Sequence, residues 1–95
     1  MLTPKNKALL LKLANHTEPS LTIGKGDLDS TLLSAINNAL TAHELIKIRV
    51  LTSQGEERSE IADKINLALG SETVKILGRI LILYKKNERR PRITL

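Results

Sequence analysis

Short β-branched runs alternate along this chain with segments of helical period, and the arrangement that buries both kinds of apolar face is a sheet with helices packed on it. Thr3 followed by Pro4 predicts a helix start, because a hydroxyl there accepts from a first-turn N–H and proline lacks the N–H that would go unpaired. Ala8, Leu9, Leu10, Leu13 and Ala14 then form an apolar stripe, with Lys5, Lys7 and Lys12 on the polar side. Asn15 to Ser20 leads to a short strand, Leu21-Thr22-Ile23, which stops at Gly24-Lys25-Gly26. Asp27 is positioned as the N-cap of a second helix, in which Leu28, Leu32, Ala35, Ile36, Ala39, Leu40 and His43 recur at spacings of three and four.

Leu45 to Leu51 alternates, with Ile46, Ile48 and Val50 on one face and Lys47 and Arg49 on the other, so this strand has a basic face. After the polar turn Thr52-Ser53-Gln54-Gly55, a third helix carries Ile61, Ala62, Ile65, Ala68 and Leu69 on one side and closes at Gly70. Glu72 to Leu77 and Ile80 to Tyr84 read as two strands joined by a tight turn at Gly78-Arg79. The remainder, from Lys85, is polar and interrupted by Pro91. The expected fold is α/β, a two-layer α-β-α-β-α-β-β sandwich with a four-stranded mixed sheet and one exposed sheet face. The expected organisation is one domain over residues 1–86 and a basic tail over 87–95.

With 95 residues, one core is available, and aliphatic side chains must fill it, since Tyr84 is the only aromatic residue. One Tyr with no Phe or Trp also argues against a platform of aromatic side chains on which nucleic-acid bases stack. The absence of cysteine removes disulfides and thiolate metal sites and suits a cytoplasmic protein. The opening residues lack the apolar run of a signal peptide or membrane span, so no membrane partner is expected.

The net charge of +5 is concentrated at one end of the chain. From Lys75 onward there are seven basic residues against Glu88 alone, whereas the preceding 74 residues carry eight basic and nine acidic groups. A polyanion binding there would release counterions. Strand, glycine loop and helix in succession make a phosphate-binding layout as well, because glycine lets the backbone approach an anion and a helix start offers unpaired N–H groups. A plain strand-to-helix turn accounts for the same residues, and Gly24-Lys25-Gly26 fits neither the Walker pattern nor the dinucleotide fingerprint.

Three separated blocks resemble the YhbY-like family, the CRM domain of chloroplast RNA splicing and ribosome maturation proteins. They are Gly24-Lys25-Gly26 after the Leu-Thr-Ile strand, Glu44-Leu45-Ile46-Lys47-Ile48, and Gly78-Arg79-Ile80-Leu81-Ile82-Leu83-Tyr84-Lys85. Leu13-Ala14-Asn15-His16 is similar to the Leu-Ala-His-His type sequence that ends that family's first helix, and the whole likeness spans about residues 2 to 86. The resemblance implies a fold similar to the C-terminal domain of translation initiation factor three and RNA binding without catalysis. For stand-alone bacterial members it implies association with precursors of the large ribosomal subunit. It also implies that the glycine loop grips RNA backbone as the GxxG loop of KH domains does. Asp27 departs from the family's Gly-Lys-Gly-Gly pattern and leaves GxxG incomplete, so Asp27 is read as a structural cap.

Gly24, Lys25, Gly26 and Arg79 are therefore the leading candidates for RNA contact, with Lys12, Lys47, Arg49, Lys85 and Lys86 beside them. Glu56, Glu57, Glu60 and Asp63 make an acidic helix start that should face away from RNA. His16 and His43 lack metal-ligand spacing, and no base or Mg²⁺-binding residue accompanies the glycine loop, so neither cofactor nor enzyme chemistry is expected. The expected partner is RNA, held by a monomer, with ribosomal RNA of the large subunit or a pre-ribosomal particle as its source. A protein-interaction module docking its basic surface onto an acidic partner is the alternative.

Overall fold

The structure, a computed structural model, describes residues 2–24, 28–51 and 55–95, with side chains at all of these but 55 and 56. Its elements are α1 (Pro4–Ala14), β1 (Leu21–Ile23), α2 (Ser30–His43), β2 (Leu45–Val50), α3 (Gly55–Leu69), β3 (Glu72–Leu77) and β4 (Ile80–Tyr84). The sheet order is β1-β2-β4-β3. β1 and β2 run parallel across the α2 crossover, and the other two pairs are antiparallel. The α/β class, the element order and the four-stranded mixed sheet are those expected from the sequence.

Thr3 caps α1, its Oγ1 accepting from the Asn6 N–H at 3.1 Å, and Pro4 occupies the first turn. The cap of α2 is Asp29, whose Oδ1 accepts from the Leu32 N–H at 2.7 Å. Asp27, expected to cap this helix, lies outside the described residues, as do Lys25 and Gly26. Asp29 offers the same carboxylate one step before the regular helix begins, while Leu28 precedes the helix. At the β3–β4 turn Leu77 pairs with Ile80. Gly78 there has φ +56, and positive φ at the first of two turn residues is the type II′ pattern that glycine favours.

One sheet face carries the larger core. Ile46, Ile48 and Val50 of β2 and Leu81 and Leu83 of β4 pack against Ile36 and Leu40 of α2 and Ala62 and Ile65 of α3. The opposite face, expected to be bare, is covered at one end by α1, where Leu10 and Ala14 meet Leu45, Val74, Ile82 and Tyr84. The α1 stripe needs correction. Ala8, Leu9 and Leu13 are exposed, and burial centres on Leu10 and Ala14. Consecutive leucines at 9, 10 and 11 leave the helical phase open, and only packing on the narrow patch around Ile82 selects it. Ala68 of α3 is likewise exposed, because the contact is made by Ala62 and Ile65 one turn earlier.

Candidate nucleic-acid interface

Because β1 and β2 are parallel they finish at the same end of the sheet, and antiparallel β4 begins there. The Leu51 N–H donates to the Ile23 carbonyl at 2.9 Å and the Val50 N–H to the Arg79 carbonyl at 2.7 Å. Gly24, the first residue after β1, is thereby placed on one side of the end of β2, and the Gly78-Arg79 turn on the other. Chain positions 24 and 79 come together only through this three-strand arrangement. A Cβ built on Gly24 would meet nothing within 4 Å, and its φ is not in the left-handed region. Neither packing nor backbone conformation requires glycine there, which leaves an open main chain beside an exposed arginine.

The sheet face that α1 leaves open carries the basic side chains. Arg49 opposes Thr22 on one side and Ile80 on the other. Lys47, two residues back on the same face, opposes Ile82, and across Ile82 stands Lys75. Strand geometry puts Lys47 and Arg49 about 7 Å apart along β2, and Lys47 and Lys75 about 10 Å apart across two strand spacings. Arg49 and Lys75 are exposed and Lys47 is half-buried. Lys75 was not among the candidates singled out from sequence. Its place in the row depends on the β-bulge between Thr73 and Lys75, which resets the alternation of β3 and leaves no local signature in the sequence. The exposed carboxylates Glu57, Glu60 and Asp63 belong to α3, on the other side of the sheet from the basic row.

The remaining candidates fall elsewhere. Lys12 is exposed on α1, two positions from both Leu10 and Ala14 and so on the outward side of that helix. Lys85 and Lys86 follow Tyr84, which pairs with Leu45 at the opposite end of β4 from Arg79, so the structure separates them from Arg79 by the full strand. The Lys85 N–H donates to the Glu44 carbonyl at 2.9 Å, and its Nζ reaches Asn37 Oδ1 at 3.5 Å.

Glu44, which sequence reading treated only as the start of a strand, organises this second end. It is 0% exposed, yet its carboxylate accepts backbone N–H groups from three later residues. Oε2 takes the Asn87 N–H at 2.7 Å, and Oε1 takes those of Ile93, at 2.9 Å, and Arg92. Burial opposes its charged form, but these three donors and the Arg92 guanidinium outweigh it and lower the carboxyl pKa from its ordinary value. The Leu2 N–H bonded to Glu72 at 2.8 Å lowers that carboxyl too, against its own burial. Tyr84, pushed upward by burial and by Glu44, Glu88 and Glu72, keeps its phenol neutral. Glu72 and Tyr84 border an open concavity of about 690 Å³ between the start of α1 and the chain after β4. Among the described residues no cluster of three or more His, Asp or Glu could hold a metal ion, and no helix is long and apolar enough to cross a membrane.

The model of the CRS1 / YhbY (CRM) domain matches residues 2–85. "Probable RNA-binding protein YqeI" of Bacillus subtilis (strain 168) is 34% identical over 95 residues, spanning 100% of this chain and 99% of that protein. "RNA-binding protein" of Haemophilus influenzae is 36% identical over 87 residues, with 92% of this chain and 88% of that one aligned. The solution structure of the hypothetical protein SAV1595 from Staphylococcus aureus superposes with a TM-score of 0.86 at 33% identity, covering 100% of this chain and 99% of the other.

Proposed function

Since the chain belongs to the CRS1/YhbY (CRM) domain family, we propose that it is a non-catalytic protein that holds structured RNA by its phosphate backbone. The observation that carries this reading is the convergence of Gly24, Arg79 and Arg49 at one end of the sheet, continued by Lys47 and Lys75 on the face that α1 leaves open. Cations at spacings of several ångströms suit a line of phosphates, and the open main chain at Gly24 suits one more. Lys25 and Gly26, which lie outside the described residues, stay in the proposal on the family likeness alone. The RNA-binding names of the relatives from Bacillus subtilis and Haemophilus influenzae support it. Tyr84, in a chain without Phe or Trp, is 7% exposed and packed under α1, which argues against a tyrosine stacking platform.

The RNA proposed is ribosomal RNA of the large subunit, met in the cytoplasm during assembly, as the family likeness implies. Crosslinking the intact protein in cells and sequencing the attached RNA tests this. Reads concentrated in large-subunit ribosomal RNA are expected, and reads spread in proportion to transcript abundance contradict it. A parallel pull-down with and without ribonuclease tests RNA binding itself. Loss of partners on digestion is expected, whereas protein partners that survive complete digestion favour an acidic protein as the ligand.

A further inference from the structure

We propose that Glu44 folds residues 87–93 into a second phosphate-binding surface, in which Arg89, Arg90 and Arg92 are held at the end of the sheet opposite Gly24 and Arg79. The proposal rests on the RNA-binding reading and adds to it a second, spatially separate contact.

The first observation is that both ends of the arginine segment are pinned. Asn87 is tied to Glu44 through its N–H and to the Thr41 carbonyl through Nδ2 at 3.0 Å, and its own Oδ1 accepts the N–H groups of Arg89 and Arg90, each at 3.1 Å. Five residues on, Arg92 and Ile93 return to Glu44, and Ile93 packs half-buried against the cluster under α1. Between these anchors Glu88, Arg89, Arg90 and Pro91 are exposed, as is Arg92 at the second anchor. Backbone amides do the anchoring, so the Arg89 and Arg90 guanidinium groups stay available, while that of Arg92 also acts on the Glu44 carboxylate.

The second observation is the conformation of Glu44 itself. Its φ of +63 is the only positive value at a non-glycine residue among those described. Its ψ of −41 puts it outside the left-handed helical well, in a region where glycine would sit more readily, so local backbone preference does not explain a glutamate there. Its carboxylate, buried and filled by three N–H groups from 43 to 49 residues away, does. Arg79 and Lys85 bracket β4, which sets the two contact regions about 20 Å apart by strand rise. Holding arginines in one arrangement lowers the ordering cost on binding, and their planar forks suit phosphate oxygens.

A salt titration with a fluorescein-labelled RNA stem-loop tests the proposal on the full chain. Replacing Arg89, Arg90 and Arg92 together by Ala, all exposed and so compatible with folding, should flatten the slope of log K against log salt by about 2. Glu44→Gln supplies the sharper reading, because it raises the net charge by one unit and simple attraction to a polyanion predicts tighter binding. The latch predicts several-fold weaker binding together with faster amide exchange at residues 87, 92 and 93. Asn87→Ala, which removes the Nδ2 bond to Thr41 and the acceptor for the Arg89 and Arg90 N–H groups but keeps the backbone bond to the buried carboxylate, should weaken binding in the same direction. An unchanged slope in the triple variant while Arg79→Ala loses its share overturns the second surface and leaves RNA binding standing. Tighter binding by Glu44→Gln overturns the latch. Salt-independent binding by the unaltered protein overturns both readings.

Discussion

Alanine at Gly24 and alanine at Gly78 should have opposite consequences, and the contrast separates a glycine kept for a ligand from one kept for a turn. Gly78 has φ +56, where a Cβ costs about 1–2 kcal/mol. The smaller entropy of the unfolded alanine chain returns about 0.4–1 kcal/mol. The net loss is about 1 kcal/mol, a fall in Tm of about 4–8 °C for a domain this size. At Gly24 a Cβ meets nothing within 4 Å and the backbone is outside the left-handed region, so only the unfolded-state gain remains. Gly24→Ala should leave Tm unchanged or raise it by a few degrees, and it should weaken RNA binding several-fold by placing a methyl group where the main chain meets phosphate. Thermal unfolding by circular dichroism and fluorescence anisotropy with an RNA stem-loop measure the two quantities on the same samples. Equal destabilisation by the two substitutions, or an unchanged Kd for Gly24→Ala, refutes the reasoning.

Ile48→Ala, at the centre of the larger core with 0% exposure, should cost about 2–5 kcal/mol in urea denaturation. Leu13→Gln, on the exposed flank of α1, should shift stability by less than about 0.5 kcal/mol, and a larger loss would mean that α1 is rotated. Lys75→Ala should reduce the salt slope of RNA binding by about 0.7–0.9, although Lys75 is four residues from the Arg79 turn in sequence. Glu44 and Glu72 both have folded pKa values below the ordinary one, so each stabilises the folded chain above the ordinary carboxylate range and loses that contribution as pH falls through it toward the folded value. Amide protection at residues 87, 92 and 93, relative to the intrinsic exchange rate at each pH, should fall over that acid window, and Glu44→Gln should remove that fall.

The elements were legible because their signals are local. Thr3-Pro4, the alternation of residues 45–50 and Gly78 each act within a few residues, and each produces the feature it predicts. What escaped was long-range. The phase of α1 depends on which leucine meets Ile82, and the placement of Lys75 depends on a bulge whose partner strand is β4. Glu44 looked like an ordinary residue before a strand, since the N–H groups that explain it come from Asn87, Arg92 and Ile93. The basic candidates were likewise readable singly from charge. Their division into one group near Gly24 and Arg79 and another near Lys85 follows from the antiparallel register of β2 and β4, which sequence distance does not reveal.

The most direct test of the account is the binding constant of the unaltered protein for an RNA stem-loop, measured across a range of salt concentrations. Contacts to about five phosphates at the Gly24 and Arg79 end predict a straight line of log K against log salt with a slope of about −4, steeper by about 2 where Arg89, Arg90 and Arg92 also engage. A flat line would contradict the claim that this basic surface holds RNA by its backbone.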